Sequence, residues 1–189
     1  MRQMSVERIL QIGHPLLRVR AEAVSDDEIP EMQSFIDDLI ETMRAAHGAG
    51  LAATQVGVAK RICVIEVAEN PRYPYKPTIP LTVLINPEIE VLTDERFSNY
   101  EGCLSVPNLR GIVRRPTKIR VSALDRDGKP FEQVVEGLSA GTFQHEVDHL
   151  DGTLFVDLVE DSRTLCTWET FEEFHRAEFI ERVKELEES

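Results

Sequence analysis

The sequence predicts a single α+β domain of mostly antiparallel strands, with a helix before them, a central helix after them and a third helix at the C-terminus. Apolar residues recur at helical spacing near both ends of the chain. Between them lie β-branched runs and strict alternation, broken by turn residues.

From Pro30 to Ala46, Met32, Phe35, Ile36, Leu39, Ile40 and Met43 share one helical face. Ser25, Asp26 and Asp27 offer N-caps, Pro30 suits a first turn, and Gly48 suits a left-handed stop. Arg61 to Ala68 reads as a strand, and Leu81 to Asn86 and Glu88 to Thr93 as two more flanking Pro87. Between these runs, Asn70 to Pro80 holds four prolines and reads as an irregular loop. Lys118 to Leu124 alternates, with Ile119, Val121 and Ala123 on one face. The turn signal Asp125-Arg126-Asp127-Gly128 leads from it into Phe131 to Val135, predicting a hairpin. Leu138, Phe143, Val147 and Leu150 mark the central helix, stopped by Gly152. A short apolar run, Leu154 to Val159, precedes a last helix over 167–186 with Phe171, Phe174, Ile180 and Val183 on one face.

At 189 residues and 42% apolar, the chain suffices for one packed core and is short for two, so residues 1–189 are read as one domain. No apolar stretch is long enough to span a bilayer, so no membrane partner is expected. Met1 to Ser5 leads into mixed residues rather than an apolar signal core. Three cysteines without regular spacing point to a reducing compartment. A formal charge of -13 weighs against DNA binding. The nearest approach to a basic cluster is Arg110, Arg114, Arg115, Lys118 and Arg120, expected to be a solvated sheet face.

The strongest chemical signal is His145-Glu146-Val147-Asp148-His149. Residues four apart on a helix lie one turn above each other, so both imidazoles can grip one ion, which makes this the metal-binding helix of the predicted fold. Glu146 is placed to take a proton from a water on the ion and return it to a leaving amine. Hydrolytic sites usually add a third protein ligand. The longer metzincin pattern would put a histidine at 155, which is Phe155. Glu169, Glu172 and Glu173 remain candidates, as in thermolysin-like peptidases. So does Cys103, in Glu101-Gly102-Cys103-Leu104-Ser105, presented at a strand end beside Gly102 and Pro107. Cys63 sits in an apolar run and reads as inert core, and Cys166 has no partner in view. A further segment, Gly48-Ala49-Gly50-Leu51-Ala52-Ala53-Thr54-Gln55, lets backbone run close to a ligand.

Together these segments resemble the peptide deformylase family, whose motifs Gly-x-Gly-Leu-Ala-Ala-x-Gln, Glu-Gly-Cys-Leu-Ser and Gln-His-Glu-x-Asp-His-Leu stand at 48–55, 101–105 and 144–150. The likeness runs from about Ile9 through Asp157, including Leu84-Ile85-Asn86-Pro87 and Ala123-Leu124-Asp125. It implies one catalytic domain that removes formyl from the N-terminal formyl-methionine of new proteins. The implied ligands are Cys103, His145 and His149, holding Fe(II) with zinc, nickel or cobalt as substitutes. Glu146 becomes the proton carrier, Gln55 and the Leu104 N–H the oxyanion donors, and Gly50 a main-chain partner for extended substrate. A methionine pocket is expected near Ala49, Leu138 and Phe143. The implied partners are nascent formyl-methionyl polypeptides, and the implied location is the bacterial cytoplasm, or an organelle after loss of a transit peptide. Thr54 replaces the proline of many members, a change expected to leave the chemistry alone. The last helix carries Glu178, Glu181, Glu185, Glu187 and Glu188 against Arg176, Arg182 and Lys184, so docking on ribosomal RNA through a basic tail is expected to be poor.

Overall fold

The computed structural model describes residues 5–68 and 75–188. It holds α1 (Ile29–Ala45), β1 (Gly50–Ala52), β2 (Ile62–Val67), β3 (Ile79–Val91), β4 (Arg96–Cys103), β5 (Val106–Pro116), β6 (Lys118–Leu124), β7 (Pro130–Glu136) and α2 (Gly137–Leu150). The chain ends in α3 (Trp168–Thr170) and α4 (Arg176–Glu188), joined by one π-helical stretch, Phe171–His175. Among the described residues, an antiparallel sheet runs β1-β2-β3-β6-β7, and β4 and β5 form a separate hairpin. The architecture is the α+β domain that the sequence predicts. No described helix is long and apolar enough to cross a membrane.

The sheet is buried on both faces because side chains alternate along each strand. Cys63, Ile65, Leu84, Ile119 and Val121 pack against Ala140, Phe143 and Leu150 of α2. Ile62, Val64, Val83 and Ile85 face the other way, onto Ile36, Leu39, Ile40 and Met43 of α1. Helix α2, with its metal-ligand pattern, is thus pinned between the sheet and the β4–β5 hairpin.

Several elements differ from expectation for local reasons. The two strands expected around Pro87 are one long β3, whose register against β6 shifts between Ile85 and Glu88. Proline cannot donate to the ladder, so it sits at this bulge beside Asn86 at φ +54°. Helix α1 begins after Glu28, which has no side-chain cap; Ser25 instead donates from N and Oγ to the Glu28 carboxylate. At its other end the left-handed residue is His47, φ +52°, rather than Gly48. Gly48 is small for a different reason: a Cβ there would lie 2.8 Å from Leu104 Cδ1.

In the last helix the π stretch rotates the buried face. Phe171, Phe179 and Val183 pack with Tyr100 and Leu138, whereas Phe174, expected on that face, is exposed. The acidic tail also has a structural role. Glu187 Oε1 accepts from Leu138 N at 2.7 Å, so a carboxylate caps the positive end of α2. The basic residues expected on a solvated face differ by what covers them: Arg114 is exposed, whereas Arg110 lies under Trp168 and Phe171 and Arg115 is buried against Glu101 and Asp148. Of the segment expected as a loop, 70–74 lie outside the described residues, 75–78 are irregular, and β3 starts at Ile79.

Candidate metal centre and active site

The spacing of His145 and His149 on α2 puts their rings 5.0 Å apart at 84°. Cys103, last residue of β4, points at the same spot: its Sγ is 3.2 Å from His149 Nε2. One donor atom from each of Cys103, His145 and His149 lies within 4.8 Å of the others. Among the described residues no other group of His, Cys, Asp and Glu converges in this way. One sulfur and two imidazole donors, close enough to share one ion, fit a transition metal of borderline softness. Of the competing glutamates, Glu172 lines a groove on the far side of Cys103 and none joins the cluster.

Behind the ligands lies a buried ionic chain that the sequence reading did not assign. His145 Nδ1 is 2.8 Å from Glu101 Oε2. Arg115 holds the same carboxylate from both sides, Nε to Oε1 at 2.7 Å and Nη2 to Oε2 at 3.0 Å, and reaches Asp148 Oδ2 at 2.7 Å. Burial alone would raise the pKa of Glu101, but Arg115 and His145 outweigh it and hold the carboxyl well below the usual range. A charged carboxylate on Nδ1 fixes the ring so that Nε2 faces the cluster. The only hint of Glu101 was its place in the cysteine motif. Arg115 gave none, because an alternating strand does not announce which side is covered.

Glu146 is buried, one Oε has no hydrogen-bond partner, and burial pushes its pKa up to about 7. It rests on the backbone of β1: a Cβ on Gly50 would sit 2.4 Å from Glu146 Cδ. Gly50 belongs to an edge strand, so one side of its backbone is open to an added chain. Gln55 Oε1 accepts from Ala52 N at 2.8 Å, while its Nε2 donates to Ser105 Oγ at 3.0 Å and lies 3.5 Å from Cys103 Sγ. Thr54, expected to be neutral, is buried and donates to the His149 carbonyl at 3.1 Å, tying the first motif to the metal helix.

A cavity of about 40 Å³ gathers Gly50, Gln55, Leu104, Cys103, His145 and Glu146, with Ala49 also on its wall. Leu138 and Phe143, expected beside Ala49, are fully buried behind that wall. The helical repeat explains this, since Gly141, Thr142, His145 and Glu146 occupy the face turned to the cavity.

This arrangement matches known proteins. The family model "Polypeptide deformylase" matches residues 6–164. The chain belongs to the peptide deformylase family. A peptide deformylase of Leptospira biflexa is 44% identical over 163 residues, covering 85% of this chain and 91% of that protein. Peptide deformylase 1 of Pseudomonas syringae is 49% identical over 160 residues, covering 84% and 89%. Among solved structures, a class I type b peptide deformylase from Acinetobacter baumannii with Met-Ala-Ser bound superposes with a TM-score of 0.80. It is 37% identical and covers 83% of this chain and 100% of its own. The chain is therefore a metal-dependent hydrolase that removes the formyl group from the N-terminus of newly made peptides.

Proposed function

We propose that Cys103, His145 and His149 hold a single catalytic ion, Fe(II) in the cell, and that Glu146 carries the protons of deformylation. The observation behind this reading is the convergence of three donors beside a buried carboxylate with an unpartnered oxygen. Iron rests on the family resemblance; the donor set also suits zinc, nickel and cobalt. When bound, the ion would acidify a water and polarise the formyl oxygen.

The chain's own groups then divide the work. Glu146 takes the proton of the attacking water and passes it to the departing amine, leaving formate and a free N-terminus. The raised pKa of this carboxyl suits a group that must both accept and give a proton near neutrality. Gln55 Nε2, held by Ser105, and the Leu104 N–H stabilise the charge that grows on the formyl oxygen. Gly50, on its edge strand, holds the peptide backbone extended. The Met-Ala-Ser carried by the Acinetobacter relative supports a methionine-initiated peptide in the same place. The formyl carbon carries hydrogen where an acetyl carbon carries methyl, so crowding by Glu146, Gln55 and Cys103 at that end of the cavity would favour formyl. Residues 1–189 act as one catalytic unit on nascent formyl-methionyl polypeptides in the cytoplasm, met at the ribosome without a basic docking helix.

The test is Glu146→Ala. The variant should bind one ion per chain, yet turn over formyl-Met-Ala about a hundred- to ten-thousand-fold more slowly. Stoichiometric ion with activity within about tenfold of the parent refutes the role.

A further inference from the structure

The cavity has two chemically different ends. One holds the ion ligands with Glu146 and Gln55. The other, one turn back along α2, is formed by Gly141 and Thr142 facing Asn99 of β4 and Lys76, which precedes β3. Lys76 Nζ donates to Thr142 Oγ1 at 2.9 Å. Asn99 Nδ2 donates to Glu101 Oε1 at 3.2 Å. Gly141 adds no bulk, since a Cβ there would lie 2.9 Å from Asn99 Nδ2 and 3.1 Å from Phe97 Cζ. Arg110 adds a second cation to this wall, with its guanidinium 4.0 Å over the Phe171 ring. Next to the reaction centre, where a thioether side chain would be matched by alkyl groups, the wall carries an ammonium, an amide and a hydroxyl that itself donates to the Leu138 carbonyl at 3.4 Å.

This chemistry selects. An apolar tip would desolvate Lys76 and Asn99 and return no hydrogen bond. A tip with a strong acceptor would gain a charge-assisted one. The first residue of a new chain is methionine, and its oxidised form adds a single polar oxygen to the same skeleton.

Resting on the deformylase reading of the site, we propose that Lys76 is a specificity-determining residue. The pocket it lines takes a first side chain ending in a hydrogen-bond acceptor, so that formyl-methionine sulfoxide peptides are deformylated at least as well as formyl-methionine ones. The reaction is the same hydrolysis, with the sulfoxide left unchanged. Burial, helped by Arg110, lowers the pKa of Lys76 to about 8, which marks an ammonium that an incoming acceptor would stabilise.

The experiment compares kcat/KM for formyl-Met-Ala-Ser, its sulfoxide and the formyl-norleucine analogue, using metal-loaded wild type, Lys76→Met and Thr142→Val. The wild type should show a sulfoxide-to-methionine ratio of one or more. Lys76→Met should lower that ratio about ten- to a hundredfold and raise turnover of the norleucine peptide. Thr142→Val, which removes the hydroxyl that positions the ammonium, should lower the ratio by a smaller factor. A wild type more than tenfold slower on the sulfoxide overturns the proposal even if neither variant folds. So does a Lys76→Met variant that scales all three peptides equally. Failure on all three peptides would instead remove the deformylase reading on which it rests.

Discussion

Gly50→Ala tests the contact between β1 and the proton carrier. The added Cβ would fall 2.4 Å from Glu146 Cδ and Oε1 and 2.5 Å from Cγ. A carbon–carbon contact is comfortable at about 3.5–4.0 Å, so one partner must retreat by about 1 Å. The strand cannot easily move, because Gly50 pairs with Ile65 and Leu51 with Val64 at the edge of the main sheet. Glu146 therefore moves, and misplacement on that scale costs about a hundredfold in rate. Overpacking should add a stability loss of about 1–3 kcal/mol. The assay is formate release from formyl-Met-Ala, with ion content and melting temperature measured on the same sample. Full ion content with kcat/KM reduced about a hundredfold is expected. Activity within threefold of the parent would show that Glu146 is not held against this backbone. Gly48→Ala serves as the comparison: its Cβ meets the flexible end of Leu104 at 2.8 Å and the Gly50 carbonyl oxygen at 3.1 Å, looser contacts than those at Gly50, and should cost less.

Gln55→Ala should raise the barrier by about 2.7–4 kcal/mol through loss of an oxyanion donor. Because Ala52 N and Ser105 also lose their partner, it should in addition lower stability by about 1–3 kcal/mol; intact kcat with only a lower melting temperature would make Gln55 purely structural. Arg115→Met leaves the buried Glu101 carboxylate without its cation, and denaturant titration should show a loss of about 3–5 kcal/mol. Metal titration of the same variant should show affinity about 10–100-fold weaker, as Glu101, which orients His145, loses the cation that holds it; unchanged affinity would uncouple Arg115 from the site. With a thiolate beside a redox-active ion, the iron enzyme should lose activity in air while the nickel form persists, and equal survival would argue against sulfur ligation of iron.

The sequence reached the site unevenly, for physical reasons. His145, Glu146 and His149 lie within five residues on one helix, so a 3.6-residue repeat suffices to place them together. Cys103 comes from a separate hairpin, and only tertiary packing selects it over the glutamates of the last helix; the family resemblance supplied that choice. Gly48 and Gly50 were legible as permissive backbone, but what they make room for, Leu104 and Glu146, belongs to distant segments. Leu138 and Phe143 were assigned to the pocket on proximity in sequence, whereas the helix turns them into two different cores. Arg110 and Arg115 look like solvated charges until the last helix and α2 cover them. In the last helix Phe171 and Val183 keep the buried face expected of them, while the π stretch turns Phe174 out and brings Phe179 in.

The central claim is that one ion, held by Cys103, His145 and His149, makes this fold a deformylase. The direct measurement is formate release from formyl-Met-Ala by protein stripped with chelator and reloaded anaerobically with iron or nickel, beside Cys103→Ala treated identically. Stripped wild type should be inactive and recover fully at one ion per chain, while Cys103→Ala should bind the ion weakly and stay inactive. Turnover by the stripped protein, or undiminished ion binding and activity in Cys103→Ala, would contradict the account.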